Sequence, residues 1–256
     1  MVTEITSAKN NTYKYFKSLG QKKARTEHGV YTVEGIKSVS DAVRAGMDVR
    51  ALAAAAGFSV PPALAGIPLY RLPDKLFDGL CDTKTPQGIL AVIGMPPAAD
   101  FLPVDNGIYI YCDRVADPGN AGTIIRTADA AGADGVLFSP GSVDLYSPKT
   151  VRASMGSFFH IQTAAETGLD RLQTMRRAGY QILCAMLGEE TMDYRQPDYT
   201  RPTVIALGNE ANGVSPQAAA MADRLVKIPI FGRAESLNVS VAGAILLYEA
   251  ARQRKK

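Results

Sequence analysis

Short, unbroken apolar runs recur along this chain. Ile89 to Ile93, Ile108 to Cys112, Gln181 to Ala185 and Thr203 to Leu207 lack the clean inside-outside alternation of a half-exposed strand. Strands apolar on both faces need cover on both sides, and a mostly parallel sheet flanked by helices supplies it. The stretches between them agree. Further strands are expected at Gly135 to Phe138, Phe158 to Gln162 and Arg224 to Ile228, and helices at Ala121 to Ala131, Leu169 to Ala178, Pro216 to Ala222 and Val239 to Arg252. The fold class is α/β.

Pro96-Pro97 and the loop through Asp100, Pro103 and Asp105-Asn106-Gly107 divide the chain. The expected organisation is a first domain over 1–95, a linker over 96–106 and a second domain over 107–256. In the first, helices are expected at Thr12 to Leu19, Gly35 to Ala45 and Pro73 to Leu80, with strands at Val30 to Val33, Val49 to Ala54, Leu69 to Leu72 and Ile89 to Ile93. That alternation makes a small α/β/α layer domain. The alanine-rich Ala51 to Ala56 reads as a strand packed closely under a helix.

With 46% hydrophobic and 21% charged residues, the chain can bury a substantial core. Its apolar runs are far shorter than a membrane span, and the polar amino terminus has no signal pattern, so the cytosol is the expected compartment. Cys81, Cys112 and Cys184 lie far apart without a CxxC pair, which argues against a zinc site or disulfide framework and for small core residues. The net charge is only +3, but Lys9, Lys14, Lys17, Lys22, Lys23 and Arg25 face only Glu4 and Glu27 at the amino end, and the chain closes on Arg252 to Lys256. Such clusters can contact phosphates; the alternative is a solvated helix face and a frayed tail.

Three polar, glycine-bearing segments interrupt the second half: Asp117 to Gly122 with Arg126 beyond, Leu207 to Gly213, and Ile228 to Gly232 running into Ser236 to Ser240. Each follows an expected strand and precedes an expected helix, so they can converge at one sheet edge, where α/β proteins place their chemistry. The common nucleotide fingerprints are missing: there is no GxxxxGK[ST] and no GxGxxG after a strand. Only His28 and His160 exist, and His160, amid Phe158, Phe159 and Ile161, reads as a core residue, which disfavours triad hydrolysis.

Taken in order, the segments resemble the three signature motifs of the SpoU family of RNA ribose 2′-O-methyltransferases, within the SPOUT superfamily: NxGxxxR at Asn120 to Arg126, LGNExxG at Leu207 to Gly213, and IPIxG with SLNVSVA from Ile228 to Ala242. The resemblance extends through Val151 to Gly156. Ser7 to Lys14, Val33-Glu34-Gly35 and Asp82 to Gly88 resemble the substrate-binding domain often fused ahead of these enzymes, although Asn11 stands where that domain usually has proline. The resemblance implies a trefoil knot in the carboxy-terminal domain and a smaller ribosomal-protein-like RNA-binding domain before it. It also implies S-adenosylmethionine in the knot loops, a homodimer that completes the active site, and structured RNA as substrate, ribosomal RNA first and transfer RNA second. The cofactor positions it implies are Met186, Leu187, Leu207, Gly208, Asn209, Ile228 and Leu237.

A ribose 2′-hydroxyl attacks poorly until its proton is removed or strongly hydrogen bonded. The resemblance places Arg126 at that hydroxyl. A guanidinium stays protonated, so we expect Arg126 to clamp the adjacent phosphate rather than act as a simple base. Asn120 and Asn238 suit orientation of the ribose or of Arg126, or else cap the helices that follow them. Glu210 is expected to bond within its motif or to Arg126, or to fix its loop, and Ser236 to support the same network. Lys14, Lys22, Lys23 and Arg25 are the expected RNA phosphate contacts.

Overall fold

In the computed structural model, which describes residues 2–96 and 103–255, the chain packs as two units. One is Met1–Pro97 together with Tyr146–Phe159, the other Ala98–Leu145 together with His160–Lys256. A single cut therefore does not separate them, and most of the expected linker, 96–106, lies outside the described residues.

The first stretch holds β1 (Val2–Glu4), α1 (Asn11–Ser18), α2 (Lys22–His28), β2 (Val30–Glu34), α3 (Ile36–Arg44), β3 (Val49–Ala55), β4 (Leu69–Leu72), α4 (Asp74–Asp78) and β5 (Ile89–Gly94). The strands form a five-stranded sheet in the order β1-β4-β3-β5-β2. β3 and β1 run parallel to β4, while β5 is antiparallel to both β3 and β2. Ile5, Tyr13, Phe16, Leu19, Leu72 and Phe77 pack into its core, and Leu52, Ala53 and Ala54 of the alanine-rich strand are fully buried.

Asn10 starts α1 by accepting from the backbone N–H of Thr12 and Tyr13. Asn11 is thus the first helical residue, where proline is favoured because its fixed φ suits the helix and its missing N–H is not needed there. The Asn11 departure accordingly bears on a helix start. Arg25 corrects an expectation: it is 3% exposed and donates from Nη1 to the Leu19 carbonyl at 2.7 Å, so its charge serves the fold and is not offered to RNA. Lys14, Lys22 and Lys23 are exposed.

The remaining elements are β6 (Ile108–Cys112), α5 (Pro118–Ala131), β7 (Gly135–Phe138), α6 (Pro148–Ala153), β8 (Gln162–Ala164), α7 (Leu169–Arg177), β9 (Gln181–Ala185), β10 (Met192–Asp193), β11 (Thr203–Leu207), α8 (Pro216–Ala219), β12 (Arg224–Lys227) and α9 (Val239–Arg254). The seven strands form a sheet in the order β10-β12-β9-β11-β6-β7-β8, with every pairing parallel. Leu207 pairs with Cys112 and Cys112 with Phe138, so β11, β6 and β7 end level at one edge. Tyr109, Tyr111, Leu137, Ile182 and Val204 are buried beneath. Cys112 and Cys184 are buried core residues, and Cys81 is half-buried.

α9 packs on α5 and β11. A Cβ at Gly243 would lie 2.8 Å from the Leu207 side chain, so this helix approaches the strand because the position is glycine. Its end is not a frayed basic tail: Arg252 pairs with Glu249, and Arg254 donates to the carbonyls of Tyr199, Asn106 and Arg201.

The expected strand at Phe158 to Gln162 is instead a 3₁₀ turn at Ser157–Phe159 followed by the short β8. Phe158 stacks edge-on with Tyr31 and Tyr146, and Arg152 pairs with Asp82 at 2.9 Å, so segment 146–159 is drawn into the first unit. The turn also rotates His160 outward. It is exposed, 3.8 Å from Asp129, and not a core residue.

Candidate functional site

The three polar segments meet at the carboxyl edge of the parallel sheet, where each follows a different strand. Asp117 opens α5: its Oδ1 accepts from the Asn120 N–H at 2.8 Å, and Pro118 takes the first helical position. Asn120 is therefore not the cap, and its amide is free for other work. Asn238 is a cap, its Oδ1 accepting from the N–H of Ser240 at 2.9 Å and of Val241 at 3.3 Å.

Glu210 joins the segments. Its carboxylate accepts from the Ala116 N–H and the Asp117 N–H, each at 3.1 Å, and from Asn120 Nδ2 at 2.9 Å. Asn120 Oδ1 in turn accepts from Asn238 Nδ2 at 3.0 Å. The result is a chain of Glu210, Asn120 and Asn238 that links residues about a hundred positions apart. Partial burial pushes the Glu210 carboxyl up, but the donors from Asn120, Ala116 and Asp117 together outweigh it and hold it below the usual carboxylate range. Glu210 is an ionised clamp and bonds neither to Arg126 nor only within its own motif.

Two other expected members stand apart. Ser236 is exposed and makes no hydrogen bond among the described residues; the hydroxyl that joins the chain is Ser240 Oγ, donating to Asn238 Oδ1 at 2.6 Å. Arg126 lies six residues beyond Asn120 on α5, about 9 Å along the helix axis. It is exposed, with no hydrogen bond or ion pair among the described residues.

The second segment is stiffened from within. Asn209 and Gly213 exchange backbone hydrogen bonds at 2.9 Å, and Asn209 Oδ1 accepts from the N–H groups of Ala211 and Asn212. A Cβ at Gly208 would sit 2.0 Å from the Gly213 carbonyl carbon, so only glycine lets the loop fold back there. Glycine at 208 thus serves the loop's own closure first. Sequence reasoning missed the anchor behind it: buried Asp113 accepts the Ser215 N–H at 2.6 Å, while Ser215 caps α8. A Ser-Pro pair ahead of a helical pattern was a local signal for that cap; nothing local pointed to Asp113.

A cavity of about 500 Å³ opens beside this wall. Met186 and Leu187 after β9, Leu207 at the end of β11 with Gly208 and Asn209 after it, and Ile228 and Leu237 after β12 all line it, as do Glu210, Ser236 and Asn238. Its volume lies within the range of roughly 300–1,000 Å³ usual for small-molecule sites. Apolar side chains that can sandwich a flat ring stand beside loop backbone and amides that can fix a polar tail. Asn120 and Arg126 lie outside the lining.

These features define an α/β protein with a small-molecule cavity and a polar cluster at the carboxyl edge of a parallel sheet. Residues 107–248 match the SpoU rRNA Methylase family, and residues 10–91 match the MRM3-like substrate binding domain. The chain belongs to the SpoU rRNA methylase family. It is 35% identical to the Bacillus subtilis 23S rRNA (guanosine(2553)-2′-O)-methyltransferase RlmP, over 96% of this chain and 98% of that protein. The Escherichia coli tRNA (guanosine(18)-2′-O)-methyltransferase is 41% identical but covers only 57% of this chain and 63% of its own. Among solved structures, the AdoMet-bound rRNA methyltransferase of Sinorhizobium meliloti matches with a TM-score of 0.88 at 36% identity, covering 98% of both chains.

Proposed function

We propose that the protein methylates a ribose 2′-hydroxyl of structured ribosomal RNA, using S-adenosylmethionine. The carrying observation is the cavity lined by Met186, Leu187, Leu207, Gly208, Asn209, Ile228 and Leu237, directly beside the linked Glu210, Asn120 and Asn238. Ribosomal RNA is favoured over transfer RNA because the ribosomal RNA relative matches 96% of this chain, whereas the transfer RNA relative matches only 57% of it. The cytoplasm is where such a substrate is met.

The cofactor supplies an electrophilic methyl group on a sulfonium whose departure as a neutral thioether drives transfer. Leu187, Leu207, Ile228 and Leu237 would hold it with apolar side chains, and the 207–209 backbone would offer polar groups. Glu210 fixes the start of α5, and Asn120 and Asn238 present amides that orient the ribose. Arg126, uncommitted in the fold, clamps the phosphate next to the target and lowers the cost of the developing alkoxide, while the hydroxyl proton leaves through that phosphate to water. Lys14, Lys22 and Lys23 of the first unit hold RNA phosphates without reading sequence. The units divide the labour, with the RNA-holding domain first and the methyltransferase domain second.

Two further features belong to this reading. The insertion of β11 between β6 and β9, and the packing of α9 on α5 and β11, support a trefoil knot in the second unit. Exposed Phe231, Leu237, Val241 and Tyr248 support a homodimer formed through that unit. Transfer of tritiated methyl from S-adenosylmethionine to 23S ribosomal RNA tests the function. With Arg126→Lys we expect at least a tenfold loss of turnover with little change in cofactor affinity; near-normal turnover would remove the forked phosphate contact from the mechanism.

A further inference from the structure

Arg114 is an arginine in a conformation that favours glycine. Its φ is +58°, in the left-handed region, which is uncommon for a side chain of this size. A residue persists in such a state when its surroundings over-determine it, and at functional sites the strain is often tied to the role of the side chain. The backbone around Arg114 is over-determined. Its N–H donates to Ser139 Oγ at 2.8 Å, its carbonyl accepts from Asn209 Nδ2 at 2.8 Å, and just beyond it the N–H groups of Ala116 and Asp117 are held by Glu210. The preceding Asp113 is buried and takes the Ser215 N–H. The 113–117 turn is therefore pinned to the loops after β7 and β11, the same loops that build the site.

Beyond a loose ion pair with Asp113, the side chain is uncommitted. It is 44% exposed, and its stem passes the turn after β7, with Cγ 3.8 Å from where a Cβ of Gly141 would stand. Among the described residues it pairs with one charge, Asp113, whose Oδ1 lies 3.5 Å from Nε, an ion pair too long to be a hydrogen bond of ordinary strength. The terminal nitrogens make no hydrogen bond among the described residues. A neutral fold would be served better at this φ by glycine. What arginine adds is a forked cation on a rigid base at the edge of the sheet that carries Asn120 and Glu210.

We propose that Arg114 is a phosphate hook for the substrate RNA, holding a backbone phosphate near the target ribose as a second contact besides Arg126. This rests on the RNA methyltransferase reading given above. Arg114 touches neither the cavity nor Asn120, so it is a positioning residue and not a catalytic one.

Arg114→Gly tests it, because glycine relieves the left-handed backbone while removing the hook. Full-length wild type, Arg114→Gly and Arg114→Lys are compared on a 23S ribosomal RNA transcript for KM and kcat, for RNA affinity across a salt series, for S-adenosylmethionine affinity and for Tm. For Arg114→Gly we expect an unchanged or higher Tm, unchanged cofactor affinity and a KM for RNA raised about tenfold. The slope of log affinity against log salt should become shallower by about one. Arg114→Lys should recover most of the salt slope. A lowered Tm with an unchanged slope, or an unchanged KM and slope, would overturn the proposal. If wild type transfers no methyl to this RNA, the function reading fails, and the binding and salt-slope comparison still decides the role of Arg114.

Discussion

On one wall of the cavity, residues 207–214 fold back on themselves through the Asn209–Gly213 bonds and are tied to the 113–120 turn by Glu210 and Asn209. On the other, residues 229–237 make no hydrogen bond among the described residues, and Phe231 is 95% exposed. Both walls come from the same signature set and both follow parallel strands, yet the first is finished within the chain and the second is not. A wall stiffened by its own bonds is preorganised, so little ordering is needed when a ligand arrives. A wall without them gains its order from what it touches, which in this reading is the cofactor and a second copy of the chain.

The largest effect should come from opening the finished wall at its joint. Glu210→Ala removes the acceptor of three donors at once, so Asn120 loses its position, and a misplacement of about 1 Å can cost roughly a hundredfold in rate. We expect single-turnover methyl transfer to fall about a hundredfold, and cofactor affinity by less. Glu210→Gln should recover little, because its amide sets a donor against backbone N–H groups.

A matched pair of small changes then compares the walls directly. Gly208→Ala puts a Cβ 2.0 Å from the Gly213 carbonyl carbon, whereas a Cβ at Gly232 meets nothing within 4 Å. The first should cost about 1–3 kcal/mol of stability, as overpacking does, and weaken cofactor binding measured by calorimetry. Gly232→Ala should stay within about 0.5 kcal/mol. Equal costs in thermal denaturation would erase the distinction between the walls.

The smallest effect is the pH response. Glu210 has a folded pKa below its unfolded one, so its contribution is whole above the ordinary carboxylate value of about 4.3 and is lost as pH falls through the depressed folded value. At pH 5 and above this group should add no pH dependence to the stability, its contribution being complete there. Glu210→Gln should flatten the acid limb of the stability curve only below about pH 4.

The buried strands were the most legible part of the fold. Ile108–Cys112, Gly135–Phe138, Gln181–Ala185 and Thr203–Leu207 stand where their apolar runs put them, because burial on both faces leaves a signal in every residue. β1, β10, α2 and α6 were not legible: they are short, polar or packed through distant partners, as α6 is through Arg152 and Asp82. In the site, residues of the second and third motifs line one cavity while Asn120 and Arg126 of the first lie outside its lining, and the wiring differs from the expectation. Glu210 reaches Asn120 rather than Arg126 across a separation that no local pattern encodes, and Ser240 takes the place expected of Ser236 because it lies in the first turn that Asn238 caps. Arg25 shows the same limit, since a basic cluster does not reveal which member turns inward.

The placement of Tyr146–Phe159 within the first unit bears on the order in which the protein is made. Domains generally fold as units, the amino-terminal one first, as the chain leaves the ribosome. Here Tyr31 and Asp82 have their partners in Tyr146, Phe158 and Arg152, so the leading unit is expected to complete its packing only once the chain through Phe158 has been synthesised. During that interval the face of the leading unit around Tyr31 stands open, exposed to whatever meets a nascent chain. A gene fragment ending at residue 95 would make that interval permanent.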